Sequence, residues 1–444
     1  MLIYCSSSEP NAFLPLDSLR GIAALAVVMW HATYSFELLD VFHGTVGELV
    51  RWTPLGLVVG GRQAVLLFFV LSGYALTCAV IGDRRFDYAR FFVRRTCRIW
   101  VPYAATILLA AAVWWAIPPG ALPGREAFLQ PAATSLSPDA SLMLGHLAMT
   151  GQKSALSLNP PGWSLVHEMR ISVVFPLLLL CCRLGLPLAL AAAAALHAAA
   201  GLAVGCEARP CTPYQAATVA ESFLLTAYMT AFFVLGIAIA LRRPALERWF
   251  GNMPGWLKTV LWIGSLASLT LGYRAHVATD AVYGLGSAML IALIVTTHGA
   301  QKALNRGPFP WLGRISYSLY LTHWVVMAVA IPLLRGAMPA LALLALVVAA
   351  SLLLAVGVHA LVEAPAMRLG KLLTDGRLFR PSLRVRSLGW LKAGGARLAR
   401  SRQRERPVYA GSRRWTGGAR RTEAAGAMSS AAGAKTNSQA KRAW

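Results

Sequence analysis

Charge is scarce in this sequence. Only 14% of its 444 residues are charged and 57% are hydrophobic, which excludes an ordinary soluble domain. The seven cysteines show no metal-ligand spacing, so no metal site is expected. No basic stretch precedes the first apolar run and further apolar runs follow it, so no cleavable leader is expected. No internal repeat and no separate soluble catalytic unit is visible. Any chemistry has to come from the apolar part itself.

What is present is a series of apolar runs long enough to cross a bilayer. They predict an all-α polytopic membrane protein of about ten transmembrane helices, over 21–39, 56–81, 99–117, 163–181, 184–204, 218–241, 256–272, 281–297, 312–334 and 337–362. With the N-terminus inside, the cytoplasmic segments before residue 376 carry seventeen Lys/Arg and the opposite side seven. That asymmetry places both termini in the cytoplasm. The chain divides into a transmembrane domain, 1–375, and a tail, 376–444. The tail holds seventeen basic residues against Glu405 and Glu423, which is +15 of the formal +24. Its Gly, Ala, Ser and Arg content and weak periodicity predict disorder. A basic tail beside a membrane is an anchor that favours anionic lipid, and nucleic acid is not the expected partner.

Several intramembrane polar residues stand out. Arg20 and His31 lie eleven residues apart, so a helix puts both on one face with His31 roughly 16 Å deeper. Arg94, Arg95 and Arg98 crowd one face of a helix start, where guanidinium forks can hold phosphate. Such a cluster also serves as an inside-positive flank. Glu168 is expected about 8 Å in from the outer surface, five residues beyond Trp163, with Arg170 facing a different partner. His323 follows Arg314 by nine residues and is expected near the depth of His31. Ser316, Tyr317, Ser318, Tyr320 and Thr322 give that helix a hydroxylated surface, and Ser72 sits mid-span beside Gly73. His146, His197, His276, His298 and His359 lack such company and read as structural. The long outer segment 118–162 reads as re-entrant or interfacial, and Cys206 and Cys211 can pair if their loop faces an oxidising compartment.

Six segments, in this order, resemble the membrane acyltransferase-3 family, bacterial O-acyltransferases of cell-envelope and secreted carbohydrates. They are LDSLRGIAALAVVMWH (16–31), LFFVLSGY (67–74), RRTCRIWVPY (94–103), WSLVHE (163–168), LGRISYSLYLTHW (312–324) and VEAPAMRLGK (362–371). The resemblance covers about residues 11–375. It implies a ten-span fold that takes an acyl group from cytoplasmic acyl-CoA, usually acetyl-CoA, and passes it to a sugar hydroxyl on the periplasmic side of the bacterial inner membrane. Acyl-CoA is then a donor substrate, with no permanently bound cofactor. Arg20 and His31 match the family's Arg/His helix, and Arg95 with Arg98 its R-x-x-R motif. Leu66, Ile171 and Ser172 depart from the family pattern, so acceptor identity is not carried over.

The expected site therefore has Arg20, Arg94, Arg95 and Arg98 holding the donor's phosphates and His31 acting as general base, an acyl-imidazole being the less favoured route. Glu168 orients the acceptor, His323 is a further catalytic candidate, and Ser72, Trp163 and Tyr317 contact substrate. The competing class is a proton-coupled transporter or flippase of a sugar or lipid-linked sugar, which uses the same intramembrane residue types.

Overall fold

The computed structural model describes residues 14–35, 50, 53–83, 86–117, 138–152, 157–205, 216–270 and 276–375. The Cys206–Cys211 pair, residues 118–137 of the long outer segment and the tail lie outside them. Every expected span has its helix: α1 (Leu14–Trp30), α2 (Gly61–Gly82), α3 (Tyr88–Ala116), α5 (Trp163–Leu184), α6 (Leu186–Ala203), α7 (Val219–Gly251), α8 (Gly255–Thr270), α9 (Val277–Thr296), α11 (Phe309–Leu334) and α12 (Ala340–Val358). Between them lie the short helices α4 (Ala140–Leu147) and α10 (His298–Leu304), and α13 (Ala364–Asp375) follows α12 after a π-helical turn, His359–Glu363. Eight stretches among the described residues are long and apolar enough to cross a membrane. The expected spans α1 and α8, with 17 and 16 residues, are shorter. α1 gains a further turn from the π-helical His31–Ser35.

Local chemistry sets the ends. Asp87 caps α3 by accepting from the Arg90 amide at 3.1 Å, so the whole arginine cluster is helical rather than in a loop. Asp139 caps α4 through the Leu142 amide at 2.7 Å. Thr218 caps α7, whose Glu221 reaches back to the Ala217 amide at 2.8 Å.

The packing turns on small residues. α1 runs along α11, and they meet backbone to backbone. A Cβ on Gly21 would lie 2.5 Å from the Gly313 nitrogen, and one on Gly313 would collide with the Asp17 carbonyl oxygen. α2 and α7 approach as closely, since a Cβ on Gly73 would run into the Phe233 carbonyl oxygen. In a bilayer, where lipid tails are as apolar as leucine, such close contact is what drives helices together. Around these crossings lies a core built from Phe69, Tyr74, Tyr103, Phe175, Tyr228, Phe232, Phe233 and Tyr283.

Two polar fastenings complete the frame. Arg62 binds Asp280 in a bidentate pair, with Nε to Oδ1 at 2.5 Å, and Tyr228 donates to the same carboxylate at 2.7 Å. Arg62 is thus a buried tie between α2 and α9. Arg170 donates to the Met149 and Thr150 carbonyls at 3.0 and 2.8 Å and to Ser222 at 2.8 Å, and it covers the Phe223 ring. It thus faces away from Glu168, as helical spacing predicts, and pins the chain leaving α4. Met149 there adopts a left-handed backbone, φ 53°, uncommon for a side-chain-bearing residue.

The glycine contacts and the buried histidine of α4 can each be checked by stability. Gly313→Ala should lower the apparent Tm of the purified protein by the equivalent of about 1–3 kcal/mol of overpacking. Gly357→Ala, with nothing within 4 Å of its would-be Cβ, should leave Tm unchanged or slightly raised. His146 lies in α4, outside the spans, and Leu158 N–H donates to its Nε2 at 3.4 Å, which requires a neutral ring. Burial pushes the imidazole down from its ordinary 6.5 to about 4. The unfolded chain then binds the proton first, so stability should be insensitive to this group above pH 6.5 and fall as pH drops from there toward 4. A Tm series across that range should lose part of its slope in His146→Gln.

Candidate active site

The glycine contact between α1 and α11 fixes a register. His31 stands ten residues beyond Gly21 and His323 ten residues beyond Gly313, about 15 Å along each helix. The two imidazoles therefore arrive at one level, and they stack with ring centroids 5.2 Å apart and planes 29° from parallel. Trp324 meets His31 edge-on at 5.2 Å. His323 is wholly buried; its Nδ1 lies 3.1 Å from the Leu319 carbonyl oxygen and its Nε2 has no hydrogen-bond partner.

Below the histidines, toward the end of the bundle that carries Arg20 and Arg314, lies a cluster of opposite charges. Arg95 donates to Glu168 at 2.5 Å and to Ser172 at 3.0 Å. Ser72 donates to the same Glu168 oxygen at 2.8 Å. Arg20 pairs with Asp17 at 2.8 Å, one turn earlier on α1. Arg20 also lies within electrostatic reach of Arg98, Glu168 and Glu363. Tyr317, on α11, shares those neighbours and donates to the Ile99 carbonyl at 2.7 Å. Glu363 is buried and accepts from Ser318 at 2.6 Å, with His359 Nδ1 at 2.9 Å from the same oxygen. Buried carboxylates here are paired, as an apolar interior requires.

Three expected positions need correcting. Glu168 is not near the outer rim. α5 does not begin at a membrane surface: Pro160–Gly162 is inserted against the middle of α11, where Tyr320 donates to the Pro161 carbonyl at 2.8 Å and Asn159 to the Leu321 carbonyl at 3.0 Å. Six residues beyond Gly162, Glu168 has descended to the level of Arg95. The arginines are not four equal claws, either. Arg94 turns onto α13, donating to Thr374 at 2.7 Å and Asp375 at 2.6 Å, and Arg95 is held by Glu168. Arg98 is exposed and, unlike the others, has no hydrogen bond or ion pair among the described residues. His359, read as lacking company, pairs with Glu363.

The expected meeting of His31 with His323 is present, and Ser72, Tyr317 and Arg95 gather at Glu168. Trp163 sits half-buried at the head of α5, 6.4 Å from Phe69 and 5.9 Å from His167 between ring centroids. Sequence reasoning missed the part Ser172 plays, Glu363 and the Ser164–Tyr320 hydroxyl pair at 2.7 Å. The i,i+4 spacing of His359 and Glu363 was a readable signal; the others join helices far apart in the chain. Among the described residues no group of His, Cys, Asp and Glu is placed to hold a metal ion. What the arrangement offers is an imidazole pair above a guanidinium cluster, a base beside an anion site.

Comparison with known proteins gives the family. The family described as the acyltransferase domain matches residues 14–360. The acyltransferase MdmB of Streptomyces mycarofaciens is 26% identical over 381 residues, covering 80% of this chain and 91% of its own. YrhL of Bacillus subtilis, described as a peptidoglycan O-acetyltransferase, is 25% identical over 73% of this chain and 50% of its own length. BcsY of Komagataeibacter xylinus, described as a membrane-bound transacylase, is 27% identical over 77% of this chain and 82% of its own. No solved structure matches.

The central ion pair can be tested by stability alone. Arg95→Met should cost about 1–3 kcal/mol, because it leaves the Glu168 carboxylate largely buried with Ser72 alone. Adding Glu168→Gln should recover part of that loss, a coupling visible as a smaller Tm drop in the double variant than in Arg95→Met.

Proposed function

The chain belongs to this family of membrane acyltransferases, and we propose that it moves an acyl group, taken as acetyl, from cytoplasmic acyl-CoA to a hydroxyl of an envelope or secreted carbohydrate. The observation that carries the reading is the stacked pair His31 and His323, set about three helical turns above Arg20 and above the Arg95–Glu168 cluster. Acyl-CoA has a phosphorylated head and a long arm that ends in the thioester. Arg98, unengaged and exposed beside Arg20 and Arg95, is the guanidinium open to those phosphates. Arg20 and Arg95 add positive potential behind it, and Arg94 positions α13 against α3 rather than touching the donor. The arm then runs inward along α1 toward the histidines.

At that level the pair supplies a general base for the acceptor hydroxyl. Glu168, fixed by Arg95 and Ser72, positions α5 and, with Tyr317, lines the donor's path rather than gripping an outer sugar. Trp163, at the head of α5, is the aromatic surface on which an acceptor sugar can rest. The bacterial inner membrane, with acceptor delivered from the periplasmic side, is the setting this reading requires. The likeness to a protein described as a peptidoglycan O-acetyltransferase supports a carbohydrate acceptor.

The test is transfer of labelled acetyl from acetyl-CoA to envelope carbohydrate by the purified protein in nanodiscs, with release of free CoA thiol. His31→Ala at normal abundance should abolish transfer. Arg98→Ala should raise KM for acetyl-CoA about 5–20-fold with little change in kcat or Tm, the loss of an exposed charge-assisted contact. Sugar movement without release of CoA thiol would instead identify a carrier.

A further inference from the structure

Among the described residues, one buried imidazole nitrogen has no hydrogen-bond partner. Nδ1 of His323 faces the carbonyl oxygen of Leu319 at 3.1 Å. A carbonyl only accepts, so Nδ1 carries the ring proton and Nε2 of the neutral ring is an unshared sp² lone pair. That nitrogen is buried with nothing to bond, on a side chain with 0% exposure. Leaving an acceptor unpaired in an apolar interior is costly, and folds rarely tolerate it without a use. The other described buried atoms without partners are hydroxyls, amide oxygens and an indole N–H. His323 is the titratable group among them.

The ring is also held still. His31 covers one side at 5.2 Å, and Tyr320 stands 6.1 Å away. The Tyr320 hydroxyl is itself engaged by Pro161 and Ser164, so it does not compete for Nε2. His31 is differently placed: it opens the π-helical turn, is only partly buried, and presents its ring to His323.

We propose that Nε2 of His323 is the proton acceptor of the transfer and that His31 is the positioning residue that holds its ring. This rests on the acyl-transfer reading above. The acceptor hydroxyl gives its proton to Nε2 as its oxygen forms a bond to the thioester carbonyl carbon. The resulting tetrahedral species collapses by breaking the carbon–sulfur bond. The departing CoA sulfur takes the proton back from Nε2, so the ring ends as it began and no oxidant or reductant is consumed. Throughout, the Nδ1–H bond to Leu319 keeps the tautomer fixed and supports the transient imidazolium, a part usually played by a carboxylate.

The deciding variant is His323→Asn, whose amide N–H can still reach the Leu319 carbonyl but which has no nitrogen at the Nε2 position. With acetyl-CoA as donor and extracted envelope carbohydrate as acceptor, kcat should fall at least about 100-fold, while KM for acetyl-CoA and Tm stay near wild type. Retention of more than a tenth of wild-type kcat would overturn the proposal and leave the acyl-transfer reading standing. If wild-type protein releases no CoA thiol, it is that reading which fails. Should His323→Asn not accumulate, His323→Gln decides by the same criterion, since its amide reaches the Nε2 position without basicity. Added imidazole should restore activity to His323→Ala, and restoration of His31→Ala instead would overturn the assignment by reversing the two roles.

Discussion

Two glycines touching across α1 and α11 set the geometry on which the site depends. A side chain at Gly21 or Gly313 would push the helices apart, and no polar group could compensate in lipid. Because both helices rise from that contact in step, equal spacing along the chain becomes equal depth in the bundle. Ten residues beyond each glycine stands a histidine, His31 on one side and His323 on the other. A distance constraint at one end thus acts as an alignment device at the other.

The remaining polar residues obey a second rule, that charge inside an apolar frame is shared among helices. Arg95 and Glu168 join α3 to α5, Arg62 and Asp280 join α2 to α9, and Glu363 joins the turn after α12 to α11 through Ser318. The two ion pairs neutralise themselves, and all three contacts fix a helix against a neighbour that shares no sequence proximity. Arg98 departs from the rule: it is exposed and has no hydrogen bond or ion pair among the described residues.

Much of this was legible in the sequence because apolar length and helical spacing are local properties. All ten spans coincide with helices, Arg170 faces away from Glu168, and His31 and His323 meet as their offsets from Arg20 and Arg314 imply. The main error came from assuming that every span begins at a membrane surface. Pro160–Gly162 begins α5 in the middle of the bundle, so Glu168 was placed at the wrong depth although its helix was right. The partners of Arg94 and Arg62 were hidden for a different reason: Thr374, Asp375 and Asp280 lie 280, 281 and 218 residues away along the chain. Periodicity cannot pair residues so far apart.

The buried start of α5 carries one more consequence. Pro160 and Pro161 have no N–H, so the chain turns inside the bundle while bringing in carbonyl oxygens and few donors of its own. Tyr320 and Ser164 answer one of those oxygens. Replacing either proline would add a donor inside the bundle that needs a partner, and moving the tyrosine would leave the Pro161 carbonyl without its 2.8 Å donor. The turn and the hydroxyls that serve it therefore stand or fall together, as one mechanical unit inside the bundle.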